Sequence, residues 1–581
     1  MKANGADGIL WLPVQESMGE ANIRILSDNQ QLELIRVRLA KDSIDYFVPY
    51  ELNRWGDRDL VIEFRTWLPD TVRRDRMVCW EAIHNAQCTK HNAQSTILSP
   101  QGARLFHNSQ CTDSPYRSLY HHTPLFGWMN DPNGMFYDEQ TGIWHLYYQH
   151  NPYGAMWGNM HWAHSTSRDL IHWEHQPIAI RPTGLGTIFS GSAVIDRNNT
   201  AGFGENALVA IYTADGESQK QAIAYSLDGG QTFTHYAGNP VLTDTIADFR
   251  DPKVFWDELT NRWVMTLACQ QEIRFYASDN LKDWTYLSRF GEGYGCHDGV
   301  WECPDLVELK VESPKSKVES KWVLLVNINP GGPFGGSATQ YFVGDWNGKE
   351  FKVESLKLKD ESSKWLDYGM DHYATVTYHN APEGRVVAQG WMSNWLYANN
   401  LPTLPFRSQN TIARDLSLYI DENGEYRVAV KPSPEYEALR GEVVEQPTEA
   451  CVIEVEVPAE TKHATFTLSN DKGEKVVMTL NMQKKTFSMD RRHAGDCSFS
   501  KDFATVTTAP VHNAQFTIHN AQFTMHDDQS PMTVTLFIDR CSIEAFDGEG
   551  AWAMTNLVFP SEPYNHIDVQ GGEATIYNLK I

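Results

Sequence analysis

The sequence is short of positive charge. Its 581 residues carry 49 lysines and arginines against 74 aspartates and glutamates, a formal net charge of −25. Such a surface repels phosphate backbones and anionic bilayers, which argues against nucleic acid or membrane surfaces as partners. Cysteine is scarce too: there are nine, an odd number, scattered and without CxxC spacing. That usage supports neither a disulfide framework nor a zinc site, so no metal or other cofactor is expected. No hydrophobic run reaches the length of a membrane-spanning helix. The N-terminus, Met1-Lys2-Ala3-Asn4-Gly5-Ala6-Asp7-Gly8, has one lysine and no apolar stretch, so it does not read as a signal peptide. The expected location is the cytoplasm as the sequence stands, or the periplasm or cell exterior if a signal has been removed. Between Tyr116 and about Lys431 helical periodicity is almost absent as well.

What is present is strand pattern and aromatic surface. Hydrophobic residues make up 41% and aromatics 12%, with 19 tryptophans. Flat rings at this density suit large β cores and also suit stacking on sugar rings. The length calls for two or three domains. Short alternating strands at 32–39, 46–50 and 60–64 predict a small N-terminal β module, read as an appendage covering an edge of the main domain. The tetrapeptide His84-Asn85-Ala86-Gln87 returns at 91–94, loosely at 107–110, and again at 512–515 and 519–522, with a decayed copy at His526. Its polar heptads exclude a coiled coil and its ligand types are poor for metal. It reads as low-complexity insertion into surface loops.

The chain is organised around Trp128-Met129-Asn130-Asp131-Pro132-Asn133-Gly134. Asp-Pro-Asn-Gly is a strong turn sequence on its own. Here an aromatic and a carboxylate precede it and a strand pattern follows, so the acid is placed rather than merely solvated. Acid, proline and strand recur at Asp251-Pro252 and, with a longer acid, at Glu302-Cys303-Pro304. The three acids are expected at equivalent places in structural repeats. A second signal agrees. Ser167-Arg168-Asp169-Leu170-Ile171-His172-Trp173 resembles Ser278-Asp279-Asn280-Leu281-Lys282-Asp283-Trp284, and Ser226 to Phe233 looks like an Asp-box hairpin. The aromatics closing these units, at 173, 233, 284 and 351, are 60, 51 and 67 residues apart. That is the length of a four-stranded blade, and a fifth unit fits 371–431.

The predicted fold is therefore all-β: an N-terminal extension over 1–115, a five-bladed β-propeller over 116–431, and a C-terminal β-sandwich over 432–581. First strands line a propeller's axis, so Asp131, Asp251 and Glu302 should converge on one mouth of the channel. Asp138, Asp257 and Glu308, at the far ends of the same strands, read as solvated turn residues. Crowded carboxylates raise at least one pKa, while Arg250 is expected to hold Asp251 ionised. One protonated and one ionised acid is what glycosidic bond cleavage requires. Trp128, Trp157 and Phe189 offer flat faces for a sugar, and Asn130, Gln149 and Ser190 offer groups that read hydroxyls.

The segments WMNDPNG (128–134), RDP (250–252) and WECP (301–304) resemble the three hallmark motifs of glycoside hydrolase family 32, the invertase, inulinase and levanase family. Trp157 to Trp162, Phe189 to Ser192 and Phe537 to Phe546 resemble further segments of that family, and the likeness runs from about Tyr116 to the C-terminus. It implies retaining hydrolysis of β-fructofuranosides such as levan, inulin or sucrose. By resemblance Asp131 is the nucleophile, Glu302 the general acid/base and Asp251 the transition-state stabiliser. Asn130, Gln149, Trp157, Ser190 and Arg250 would line the fructose pocket, with Trp391 a further candidate. The N-terminal module is similar to an extension of some bacterial members. A fructosyltransferase with the same acids and a non-catalytic fructan-binding protein are the alternatives; the second would need an acid missing, and none is.

Overall fold

The computed structural model describes residues 2–4, 8–40, 43–66, 114–311, 320–353, 364–512, 516–519, 522–525 and 531–580. The fold is all-β. Five antiparallel sheets succeed one another, and each begins with a first strand: Gly127–Asp138, Thr187–Asp196, Phe249–Asp257, Val300–Lys310 and Tyr373–Thr377. Three further strands pair outward from it in chain order, giving five four-stranded blades with short accessory strands. The five first strands pack side by side in a ring that closes from blade 5 onto blade 1. Closure is reinforced where Phe406–Arg407 of blade 5 pairs parallel with Gly127–Trp128.

The aromatics that mark the repeat stand at the start of the outermost strands, or one residue before them: Trp173–Ile180, Thr234–His235, Thr285–Phe290 and Phe351–Val353. The turns ahead of Trp173 and Trp284 are built alike. Leu170 and Leu281 both take φ of 62°. Asp169 and Asn280 accept from the backbone amides two and three residues on, and each indole N–H donates to the leucine carbonyl.

The Asp-Pro-Asn-Gly segment is not a turn. It lies inside the 12-residue strand Gly127–Asp138, where the register slips twice, between Met129 and Pro132 and between Asn133 and Phe136. Bulges tolerate a proline without an N–H and a glycine at positive φ, so the residues that suit a turn also suit a doubly bulged strand. Gly134 is required there: at φ 50° a Cβ would come within 2.7 Å of the Trp162 ring.

C-terminal to the propeller, a six-stranded sheet (Arg440–Val444, Glu573–Leu579, Cys451–Val457, Met532–Asp539, Ser542–Asp547, Ala553–Leu557) faces a five-stranded one. Strands such as His463–Ser469 and Lys475–Asn481 alternate buried and exposed positions, and the inward residues of both sheets share one core, as a sandwich requires. At the N-terminus a four-stranded sheet and the pair Ile9–Val14 and Tyr46–Glu51 form a small module. The repeated tetrapeptides at 84–110 lie outside the described residues. Of the later copies, only the pairing of Phe516–His519 with Gln522–Met525 and the side chain of His512 are described.

Candidate active site

All five first strands carry a bulge at the same height, two residues facing one on the neighbouring strand. Register gives the equivalences. Met129, Ile188, Arg250, Glu302 and Tyr373 enter the bulge. Asn130, Phe189, Asp251, Cys303 and Ala374 are its first residues. Asp131, Ser190, Pro252, Pro304 and Thr375 are its second. The three acids are thus not at equivalent places, as the recurring motif suggested, but at three successive positions of one repeated device. Bulges turn side chains toward the axis and tighten the backbone. Asp251, Cys303 and Ala374 all adopt positive φ, of 65°, 43° and 54°, conformations that non-glycine residues populate sparsely and at a cost.

Asp131 receives three donors. Asn130 Nδ2 donates to Oδ1 at 2.9 Å, Ser190 Oγ to Oδ2 at 2.5 Å, and the Cys303 thiol lies 3.5 Å from Oδ2. Burial pushes its pKa up, while the bonds from Ser190 and Asn130 oppose that push by favouring the ionised form. Asn130 is itself oriented, because Trp128 Nε1 donates to its Oδ1 at 2.7 Å. Trp128 is fully buried, so it positions Asn130 and offers no face to a ligand.

Asp251 is 5% exposed and accepts the Cys303 backbone amide at 3.0 Å. Its pKa is pushed up to about 7, chiefly by burial. Arg250 opposes this and the charges of Glu302 and Asp131 add to it. Arg250 therefore does not hold Asp251 well ionised. Its guanidinium goes to Glu302 instead, Nη2 donating to Oε1 at 2.9 Å and Nε at 3.2 Å, and it is itself held by Asp248 and by Gln219 at 3.3 Å. The other oxygen of Glu302 accepts the Tyr373 hydroxyl.

The acids open into one cavity of about 370 Å³. Asn130, Gln149, Ser190 and Arg250 supply its polar wall, and Trp157 and Phe189 meet edge to face, centroids 6.0 Å apart, on its apolar side. Gln149 is buried with an unpartnered Nε2, a donor free to take an incoming hydroxyl. Gln219 and Trp395 also line the cavity. Trp391 does not: it is fully buried behind Trp395, 4.8 Å away, and Trp128, 5.8 Å away. Of the acids at the far strand ends, Asp257 is buried and bonded to the Thr260 hydroxyl rather than solvated. Among the described residues one group has metal-ligand spacing, Asp421, Glu422 and His512. Arg427 and Lys485 each pair with one oxygen of its two carboxylates, and it lies outside this cavity.

Residues 121–432 match the family profile described as Glycosyl hydrolases family 32 N-terminal domain, and 422–581 match Glycosyl hydrolases family 32 C terminal. The chain belongs to glycoside hydrolase family 32. It is 42% identical to the levanase of Bacillus subtilis over 508 residues, 81% of this chain and 72% of that one. It is 36% identical to the extracellular exo-inulinase of Aspergillus awamori over 509 residues, 78% and 91% of the two chains. The crystal structure of an Aspergillus awamori exo-inulinase superposes with a TM-score of 0.72 at 33% identity, covering 81% of this chain and 99% of that one. The β-fructofuranosidase of Schwanniomyces occidentalis complexed with fructosyl-erythritol gives 0.71 at 32%, covering 80% and 98%. Residues 1–94 match a Domain of unknown function (DUF4980).

The family 32 C-terminal region docks on the propeller through buried charge. Asp539 and Glu544, from the Phe537 to Phe546 segment, clasp His121 at 2.8 Å and 2.9 Å. Glu544 also pairs with Arg414 of blade 5. Burial opposes a charge on His121, yet the hydrogen bonds to the two acids outweigh it and lift its pKa to about 9. No helix among the described residues is long and apolar enough to cross a membrane.

Proposed function

We propose that this family 32 enzyme is a retaining β-fructofuranosidase that removes terminal fructosyl units from levan, inulin or sucrose. The observation that carries the reading is the meeting of Asp131, Asp251 and Glu302 in one cavity with three different environments. Asp131, fed by neutral donors and free of a salt bridge, attacks the anomeric carbon. Glu302 gives its proton to the departing oxygen and then takes one from the water that attacks the fructosyl-enzyme. Asp251, rigid in its strained backbone, accepts from sugar hydroxyls as the oxocarbenium-like transition state forms. Asn130, Gln149, Ser190 and Arg250 read hydroxyls, and Trp157 and Phe189 take the apolar side of the ring. The division of labour follows three units, 1–115, 116–431 and 432–581, with the chemistry in the second. The related levanase and extracellular exo-inulinases support both the substrate class and an exported location.

Incubation with sucrose, inulin and levan, followed by chromatography of the products, tests this. Fructose alone is the expected product. A ladder of oligosaccharides would mean internal cleavage, transfer products at high sucrose would mean a fructosyltransferase, and no action on any β-fructoside would overturn the reading.

A further inference from the structure

The N-terminal module meets the propeller at the blade 1 loop between Asn151 and Met160, and also where Glu51 pairs with Arg181. Tyr153 and Ala155 of that loop are buried in the module's own hydrophobic core. The Ala155 backbone amide donates to both Glu16 Oε1 and the Tyr46 hydroxyl, each at 2.8 Å, and Tyr46 in turn bonds Glu16. The carbonyl of the same residue accepts from Arg407 at 2.9 Å, so this residue is held on both sides. Four residues on, the Asn159 side chain pairs with the backbone of Arg36. The Arg36 amide donates to Oδ1 at 3.0 Å, and Nδ2 donates to the Arg36 carbonyl at 2.9 Å. Arg36 lies on Gln30–Val37, an edge strand, and the side-chain amide satisfies that edge as a neighbouring strand would.

Between the two clamps stands Trp157. It is 43% exposed, it lines the cavity, and its ring meets Phe189. Loops that carry binding groups are local and mobile unless something fixes them. The propeller supplies part of the fixing, through Asn399, which accepts the Trp157 amide at 3.0 Å, and through Arg407, while the contacts on either side of Trp157 come from a separate module that contributes no residue to the cavity lining. We propose that the N-terminal module is a positioning element of the active site: through Glu16, Tyr46 and the Arg36 backbone it holds the 153–159 loop so that Trp157 presents its face to the substrate. This rests on the fructosidase reading for its kinetic consequence only. Glu16 and Tyr46 are positioning residues, acting through Trp157.

An aromatic platform contacts ground state and transition state alike, so loosening it should raise KM and spare kcat. In the full chain, Glu16→Leu removes one of the two acceptors for the Ala155 amide and the carboxylate that orients the other, the Tyr46 hydroxyl. It should raise KM for a fructo-oligosaccharide about three- to tenfold with kcat within twofold, an order of magnitude set by one misplaced stacking contact. Glu16→Gln keeps the acceptor oxygen and should restore KM. In a Trp157→Ala background Glu16→Leu should change KM no further. Hydrogen exchange of the 153–159 amides, which needs no substrate, should quicken in Glu16→Leu and not in Glu16→Gln. Tyr46→Phe, which keeps the packing, should give a milder change of the same kind if Glu16→Leu does not fold. Equal KM effects with and without Trp157, or unchanged KM and unchanged loop exchange in folded Glu16→Leu and Tyr46→Phe, would overturn the proposal. Altered exchange in an enzyme that cleaves no β-fructoside would instead sustain the positioning and sink the fructosidase reading.

Discussion

Arg250 and Glu302 hold the same register position in neighbouring blades, and the guanidinium of the first lies 2.9 Å from the carboxylate of the second. Tyr373, at the same position one blade further on, takes the other oxygen. Adjacent copies of one bulge thus fix Glu302 from both sides, and the side-by-side packing of blades 3, 4 and 5 orients its carboxylate. A lysine cannot reproduce the two donors that Arg250 turns on one oxygen. Arg250→Lys keeps the charge but loses the second donor, and should therefore lower kcat/KM by about tenfold or more, since a hydrogen bond to a charged group is worth about 1.5–3 kcal/mol. Tyr373→Phe should cost about tenfold, the loss of one charge-assisted bond. Steady-state kinetics on sucrose measure both. Negligible losses in both would mean that Glu302 needs no such clamp.

The proposed roles of the two outer acids separate by leaving group. Asp131→Ala should abolish turnover on every substrate, because no fructosyl-enzyme forms. Glu302→Ala should suffer most with poor leaving groups and least with activated aryl fructosides. Azide needs no base, so it should partly restore Glu302→Ala and yield a fructosyl azide of retained configuration. An inverted azide, or near-normal activity in Asp131→Ala, would place the nucleophile elsewhere.

Asp251 should make the fold less stable so that the site can work. Its pKa of about 7 in the folded chain is raised above the unfolded value. The sign follows: the folded state keeps the proton where the unfolded chain loses it. There is no penalty below pH 4, a growing one between pH 4 and 7, and the full one above that. The shift corresponds to about 4 kcal/mol at pH 8. Asp251→Asn keeps an acceptor for the Cys303 amide and removes the charge. It should unfold at a higher temperature than wild type at pH 8, match it near pH 4, and lose most of its kcat. Equal melting temperatures at pH 8 would show that the carboxylate is not strained by its surroundings.

Much of this site was legible in the sequence, and the reasons differ by residue. Asp131, Asp251 and Glu302 stood out because each stands at the head of a strand pattern in a recurring acid-proline order, with the proline next to Asp131 and Asp251 and two residues after Glu302. Blade count followed from the spacing of the closing aromatics at 173, 233, 284 and 351, and the turns ahead of Trp173 and Trp284 repeat because both reuse one backbone conformation, at Leu170 and Leu281. The register of the bulges was not legible, because a slip of one residue leaves the motif unchanged while moving the acid to another position. Tyr373, Asp248 and Gln219 carry no local signal, and their contacts exist only once blades stand side by side. Trp391 and Trp395 lie four residues apart in one aromatic stretch, and only the packing under Trp128 decides that the second faces the cavity. His121 was overlooked for the same reason, since its two partners lie more than 400 residues away.

That histidine gives the last prediction. His121 lies just ahead of the first blade, and both of its ring nitrogens meet buried carboxylates of the sandwich, Asp539 and Glu544. With a folded pKa of about 9 it is charged at neutral pH, where the histidine of the unfolded chain is mostly neutral. The stability it adds is therefore complete below about pH 6.5, the ordinary histidine value, and is lost as pH rises through about 9. A shift of this size is worth about 3 kcal/mol. His121→Gln fills similar space but carries no charge, and it leaves Asp539 and Glu544 short of a counter-ion. Its unfolding midpoint in denaturant should fall well below wild type at pH 6, and the gap should narrow at pH 9.5, where the wild-type imidazole is also neutral. Activity of the folded variant at pH 6 should be close to normal, because none of these three side chains lines the cavity. A gap of the same size at both pH values would mean that shape, not charge, holds the sandwich against the propeller.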